Sequence, residues 1–158
     1  MGFARSIFDA MYLVDTNIVS LTAPRRAAGT PAVASWLRRH NDALFLSVIT
    51  VTEIEQGIQQ LHRREATRKA TELEVWLDSL LQVFETRLLR FDLAAARALG
   101  GIADRARAKG MAPDYPDLII AATASVHALT VLTRNTRHFE GLGVPIHDPY
   151  DTLPGDPA

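Results

Sequence analysis

The sequence predicts an α/β fold: three α/β/α layers around a mostly parallel central sheet. Two observations carry this reading. Short β-prone runs alternate with longer segments of helical periodicity, and strands separated by helices pair in parallel with helices on both faces. A late segment, Leu118-Ile119-Ile120-Ala121-Ala122-Thr123-Ala124, is apolar on every side, as a helix at the centre of a domain is. A chain of 158 residues is most simply one domain with a substantial core.

The elements follow in order. Leu13 to Asp15 reads as the first strand and Asn17 to Leu21 as a short helix. Pro24 to Pro31, with Arg25, Arg26 and Gly29, is a loop; Thr30-Pro31 then opens a helix in the favoured order of cap and first-turn proline. Val33, Trp36 and Leu37 form its apolar stripe, and Arg38, Arg39 and His40 close it in accord with the helix dipole. Leu44 to Ser47 is the second strand. A helix is expected from Thr50, since Thr50 and Glu53 have capping-box spacing, and it runs through Ile54 and Ile58. In the long helix that follows, Leu73, Leu77, Leu80 and Phe84 repeat on one face, while Arg63, Arg64, Arg68 and Lys69 mark a basic side. Leu88 to Phe91 is a short third strand. Asp92 caps an alanine-rich helix that stops at Lys109-Gly110. Gly100-Gly101 inside it implies close packing or a bend, because each glycine costs about 1 kcal/mol relative to alanine. Pro113 to Pro116 is a turn, and Asp117 is expected to open the apolar helix. Leu129 to Thr133 and Val144 to Ile146 are the last strands, joined through the polar turn Arg134-Asn135-Thr136-Arg137.

Composition narrows the function classes. Hydrophobic residues make up 47% and charged residues 22%, ordinary for a soluble globular protein. With a net charge of −1, a nucleic-acid partner needs a local basic patch rather than a polycationic chain. Cysteine is absent, which removes disulfides and thiolate metal sites and fits a cytoplasmic location. No apolar run approaches the ~18 residues of a membrane span. The domain is assigned to residues 11–150. Residues 1–10 form an N-terminal extension without a continuous apolar signal core, and residues 151–158 form a flexible tail.

The chemistry gathers at the ends of elements. Asp15 ends an apolar strand, where a lone buried carboxylate is costly without a cation, donors or water. Ligands of open α/β sheets bind at that edge. Glu53, Asp114 and Asp117 also sit at element boundaries, and Asn135 follows a late strand. Clustered carboxylates repel one another, and a hard divalent cation relieves the repulsion; Mg²⁺ and Mn²⁺ take such oxygen ligands. Each residue also has a plainer reading. Asp15 and Asp117 are equally helix caps, Glu53 the partner of Thr50, Asp114 and Asn135 turn residues, His138 a surface or half-buried histidine, and the arginine pairs solvated faces. A phosphoaspartate enzyme would want a second aspartate two residues after Asp15, and Asn17 stands there.

The ordered set separates these readings. Leu13-Val14-Asp15-Thr16-Asn17, then Ser47 to Ile54 with Gly57, then Pro116-Asp117 to Ala124, then Leu132-Thr133-Arg134-Asn135 with His138-Phe139, resembles the PIN-domain ribonucleases, and most of all the VapC and FitB type of bacterial toxin. The resemblance spans about residues 11–150. It implies a PIN-like fold and a metal-dependent endoribonuclease that binds Mg²⁺ (or Mn²⁺) and hydrolyses RNA phosphodiesters. By position, it places Asp15, Glu53 and Asp117 as metal-holding acids and Asn135 at a fourth catalytic position, where many relatives have aspartate. It gives Thr16, Asn17, Asp114, Thr133 and Arg134 supporting or RNA-orienting roles, with Arg137 and the arginines of the early loop and long helix gathering the RNA backbone. It also implies a small antitoxin partner, a homodimer or toxin–antitoxin hetero-oligomer, and no membrane. The exposed apolar residues of the early helices would be the surface for these partners. The rival from another class is a PIN-like binding module with little catalysis, for which Asn135 is the one supporting residue.

Overall fold

The computed structural model describes residues 10–24 and 30–155. Five strands, all parallel, lie in the order β3-β2-β1-β4-β5: β1 Tyr12–Val14, β2 Leu44–Ser47, β3 Leu88–Leu89, β4 Thr130–Leu132 and β5 Ile146–His147. The chain fills one side of β1 first, crosses back to place β4 on the other side, and adds β5 beyond. The strand order therefore reverses between β1 and β4. In a parallel sheet that reversal opens a crevice at the carboxyl edge.

Among the described residues seven α-helices accompany the strands: α1 Thr16–Val19, α2 Pro31–Arg39, α3 Val48–Arg63, α4 Thr67–Val83, α5 Leu93–Ala108, α6 Tyr115–His127 and α7 Thr136–Phe139. Short 3₁₀ turns follow α1 (Ser20–Thr22) and α2 (Asn41–Ala43). Successive residues of a strand face opposite sides of the sheet, and Leu13 and Val14 divide accordingly. Val14 joins a core built from α1 to α4, with Ile18, Trp36, Leu37, Ile54, Ile58 and Leu77; Leu13 joins a second core with Leu99, Ile102, Ile120, Ala121 and Phe139 from α5, α6 and α7. The three-layer expectation holds. Among the described residues no helix is long and apolar enough to cross a membrane.

Several boundaries differ from the sequence reading, each for a local reason. α3 begins at Val48, two residues before Thr50, because the Ser47 hydroxyl accepts from the Ile49 amide at 3.3 Å. Thr50 is fully buried with no hydrogen-bond partner for its hydroxyl, so the expected Thr50–Glu53 capping box does not form. α6 begins at Tyr115, with Asp114 at the cap position and Asp117 inside the first turn rather than opening the helix. β3 stops at Leu89, and β5 starts at Ile146, two residues later than expected. α5 runs straight through Gly100 and Gly101. A Cβ on Gly100 would meet nothing within 4 Å, so close packing is not its reason there.

Two expectations about surfaces also change. The apolar residues of the early helices, Ile18, Val19, Val33, Trp36 and Leu37, are buried in the domain's own core rather than exposed, and Val19 and Leu37 line an apolar cavity towards α4. The stretch read as a tail is described as far as Gly155, and this part is docked: Leu153 and Tyr150 pack on the first core, and the Trp36 indole donates to the Pro154 carbonyl at 3.1 Å. The N-terminal extension lies, save Ala10, outside the described residues, as do Arg25 and Arg26.

Arg87 ties β2 to its neighbours. Its guanidinium donates to the carbonyls of Asn41, Leu44 (2.7 Å) and Val83 (2.9 Å) and lies 4.8 Å from the Phe84 ring centre. Arg87→Ala leaves these carbonyls short of a donor and should cost about 2 kcal/mol in urea unfolding. Gly100→Ala, with open space for its Cβ, should instead gain about 1 kcal/mol in the same measurement.

Candidate active site

Asp15 ends β1 at the point where the strand order reverses. Its amide donates to the Leu132 carbonyl of β4 at 3.0 Å, continuing the ladder one residue past the strand. The residue is only 6% exposed. One carboxylate oxygen accepts from the Thr16 amide at 2.8 Å, capping α1; the other accepts from the Thr133 hydroxyl at 2.7 Å and the Asn17 amide nitrogen at 3.2 Å. Asp15 is thus both the helix cap of the plainer reading and the centre of a buried network. Thr133, fully buried just past β4, also accepts from Asn17 Nδ2 (3.3 Å) and the Asn135 amide (3.0 Å), and Asn17 Oδ1 accepts from the Arg134 amide at 3.2 Å. Asn17 and Thr133 lock the loops after β1 and β4 to each other and fix the orientation of Asp15.

Asp15, Glu53, Asp114, Asp117 and Asn135 line one open cavity of 560 Å³, with Thr16, Asn17 and Arg134. Glu53 arrives on the second turn of α3 and Asp117 in the first turn of α6. Asn135 stands on the wall, and its side chain makes no hydrogen bond to the described residues. Thr133 lies behind the wall as Asp15's partner. Five residues absent from the expected set also line the cavity: the polar Ser20, His138 and Tyr150, and the apolar Leu21 and Pro116. His138 Nδ1 lies 3.0 Å from Asp117 Oδ2 and half of its side chain is exposed, so it is a half-buried histidine, as expected, and its partner is one of the site's acids. Arg134 stacks 4.4 Å from the Tyr150 ring centre. No local pattern announces either contact, because each partner is far away in sequence. Arg137 lies in an adjoining recess, and Arg68 pairs with Glu72 at 3.4 Å. A separate apolar cavity of 350 Å³ between α2 and α4 contains no acid and lacks the groups for hydrolytic chemistry.

Electrostatics single out the same three acids. Burial pushes the Asp15 carboxyl above its usual range, against the pull of Thr133, the Thr16 amide, His138 and Asn17. Glu53 is raised by burial, then by the charges of Asp15 and Asp117; the nearby Thr16 hydroxyl opposes this, although Thr16 Oγ1 makes no hydrogen bond of ordinary geometry. Asp117 is raised by burial and by Asp15 and Asp114, with His138 opposing. Mutual repulsion across one cavity is the condition a divalent cation relieves. Among the described residues no three acids or histidines stand as a preformed metal group. The donor set nevertheless fits a hard ion: three carboxylates with raised pKa values, an unpartnered buried hydroxyl at Thr16 and no soft ligand.

The site is thus a crevice at the reversal of a parallel sheet, lined by acids at the end of β1, on α3 and on α6. The chain belongs to the PIN domain family, whose sequence pattern matches residues 12–143. It is 33% identical to the VapC ribonuclease Y4jK of Sinorhizobium fredii and 34% identical to the toxin FitB of Neisseria gonorrhoeae, in each case over 89% of this chain and 99% of the relative. Among solved structures it is similar to FitAcB from Neisseria gonorrhoeae, with a TM-score of 0.78, 34% identity, and 89% of this chain and 99% of that chain covered. The resemblance carried by the four sequence blocks holds.

A carboxyl whose pKa is raised on folding favours the folded state at low pH. That advantage is complete below the ordinary carboxylate value and is lost as pH rises through the raised one, leaving a net cost at neutral pH. Glu53→Gln should therefore raise the melting temperature of metal-free protein by a few degrees at pH 7. The gain should vanish as pH falls through the ordinary carboxylate range near ~4. A thermal scan with chelator at several pH values measures both.

Proposed function

We propose that this chain is a metal-dependent endoribonuclease acting as the toxin of a toxin–antitoxin pair. The observation that carries the reading is the convergence of Asp15, Glu53 and Asp117 on one cavity, where burial raises all three carboxyls and the charge of Asp15 raises Glu53 and Asp117 further. The names of the similar proteins, a VapC ribonuclease and the toxin FitB, support the same class. Asp15, Glu53 and Asp117 would hold Mg²⁺ or Mn²⁺. Such an ion lowers the pKa of bound water and offsets charge on a scissile phosphate.

The chain's own residues supply the rest. Thr133, Asn17 and the Thr16 amide hold Asp15 in one orientation, so that its carboxylate is aimed before substrate arrives. His138 bonds Asp117 and steadies it in the same way. Arg134, braced on Tyr150 at the cavity wall, places a cation where an RNA phosphate approaches. Asn135 leaves the fourth position neutral, so the site has one negative charge fewer than an all-acid set. A chain that cleaves the RNA of the cell that makes it needs a neutralising partner, and a small antitoxin acting in the cytoplasm is that partner here.

The second reading, a binding module with little catalysis, rests on Asn135 and on the lack of a preformed metal group among the described residues. Titrating Mn²⁺ into antitoxin-free protein with a mixed RNA pool separates the two. Metal uptake with cleavage supports the nuclease, and neither uptake nor cleavage supports the module.

Asp15→Asn should lower cleavage by about 10³-fold or more while the circular dichroism spectrum is kept. Thr133→Val, which removes the hydroxyl that orients Asp15 but keeps the volume, should lower it about 10- to 100-fold. Cleavage should climb as pH rises through the raised carboxyl values, because protons compete with the metal for the same oxygens. An Asp15→Asn protein that cuts as fast as the parent would refute the assignment.

A further inference from the structure

One cation of the crevice has no carboxylate partner. Arg134 lines the same cavity as Asp15, Glu53 and Asp117, yet its guanidinium makes an ion pair with no described residue. Distance does not account for this. The Arg134 amide donates to Asn17 Oδ1, and Asn17 Nδ2 donates to Asp15 Oδ2, so the Arg134 backbone stands two hydrogen bonds from that carboxylate, within the length of an arginine side chain. Guanidinium and carboxylate pair through two parallel bonds wherever they meet. Three acids that repel one another should draw such a cation in, so another contact must hold it out.

That contact is the Tyr150 ring, whose centre lies 4.4 Å from the guanidinium carbon. The ring belongs to a strap that is fixed on both sides of it. Just past β5, Asp148 Oδ1 accepts from the Tyr150 amide at 2.9 Å, and His147 Nε2 donates to the Thr152 carbonyl at 2.7 Å, which closes the chain into a tight turn around Tyr150. Further on, Pro154 is buried and its carbonyl accepts from the Trp36 indole at 3.1 Å. Trp36 is wedged in the first core, edge-on to the Tyr12 ring and stacked with His40. A ring already held in place loses no freedom when a cation stacks on it, so it competes for that cation better than a mobile ring does. Among the described residues the strap makes no hydrogen bond or ion pair with the three acids; it reaches them by packing, through Arg134.

We propose that Tyr150, anchored from Trp36 through this strap, holds Arg134 off the acids of its own cavity. The three carboxylates are thereby left for a divalent cation, and Arg134 is left for a phosphate. The guard rests on the metal-dependent nuclease reading of the site and adds to it a means by which the fold keeps the site from neutralising itself. Trp36, which does not line the cavity, is then a positioning residue. Loss of the ring frees the guanidinium to swing onto Asp15, Glu53 or Asp117. The ion pair so formed relieves the repulsion that a metal would otherwise relieve, and a metal must displace it to bind. Loosening the strap therefore weakens the site without altering an acid. A merely structural Tyr150 would damage the site whether or not residue 134 is a cation; in this arrangement the damage is done by Arg134.

Metal uptake, rather than cleavage, tests the guard. The electron paramagnetic resonance signal of free Mn²⁺ follows its titration into the full chain, and circular dichroism checks that each variant is folded. Tyr150→Leu, which keeps an apolar side chain on the first core but removes the ring, should weaken uptake about tenfold. Tyr150→Phe, which keeps the ring, should bind Mn²⁺ as the parent does. Trp36→Phe, which leaves the Pro154 carbonyl without its donor, should weaken uptake about threefold. The double variants decide the matter. Arg134→Gln added to Tyr150→Leu, or to Trp36→Phe, should restore the parent's affinity, because no cation remains to take the metal's place. If Tyr150→Leu does not fold, Trp36→Phe and its double carry the comparison. The guard is overturned if these single variants keep the parent's Mn²⁺ affinity. It is equally overturned if Arg134→Gln does not restore what they have lost, since the ring would then be a structural support only. A parent that takes up no Mn²⁺ overturns the metal-dependent reading and the guard with it. A parent that shows this loss and rescue but cleaves no RNA in Mn²⁺ sinks the ribonuclease reading and leaves the guard in place.

Discussion

A carboxylate that is nine-tenths buried at the end of a central strand is costly unless donors surround it. In this protein the donors come from two loops that the sheet brings side by side. The Thr16 amide and Asn17 follow β1, and Thr133 follows β4, 118 residues from Asp15. The network around Asp15 therefore forms only when β4 has paired with β1. It holds the crevice open at the one place where the strand order reverses, and the other acids are arranged about it.

The compensation is incomplete, and that is where function enters. Donors lower the Asp15 carboxyl, yet burial still leaves it raised, and its charge raises Glu53 and Asp117 in turn. Folding stores this repulsion because the cores on both faces of the sheet determine where α3 and α6 enter. A site that is destabilised by its own charge binds a cation more strongly than one in which each acid already has a partner. His138 relieves Asp117 only in part, since its ring is half exposed and bonds a single oxygen.

The surroundings of the site follow from helix ends rather than from loops of special composition. Ser47 starts α3 early enough to bring Glu53 round on the second turn, and Asp114 starts α6 so that Asp117 lies three residues in. The segment after β5 closes the far wall, held by the Trp36 indole on Pro154, and from it Tyr150 supports Arg134. Alteration of that last segment would thus reach the site through packing alone.

Period and composition determined the layer order, most elements and the core residues, because a strand's alternation and a helix's apolar face are local facts. They also placed Asp15, Glu53 and Asp117 at element ends, and the four ordered blocks pointed to the PIN family. Local capping chemistry misassigned the starts of α3 and α6, since Thr50 satisfies a capping-box spacing yet is drawn into the core by burial. It likewise did not name the partner of His138, and it treated the chain after Tyr150 as a tail. Only the tertiary structure decided that the carboxylates share one cavity, that Thr133 orients Asp15, and that the apolar residues of α1 and α2 are buried in the domain's own core. Those are contacts between residues tens of positions apart, and their energies depend on distance and solvent exclusion, which no stretch of sequence contains.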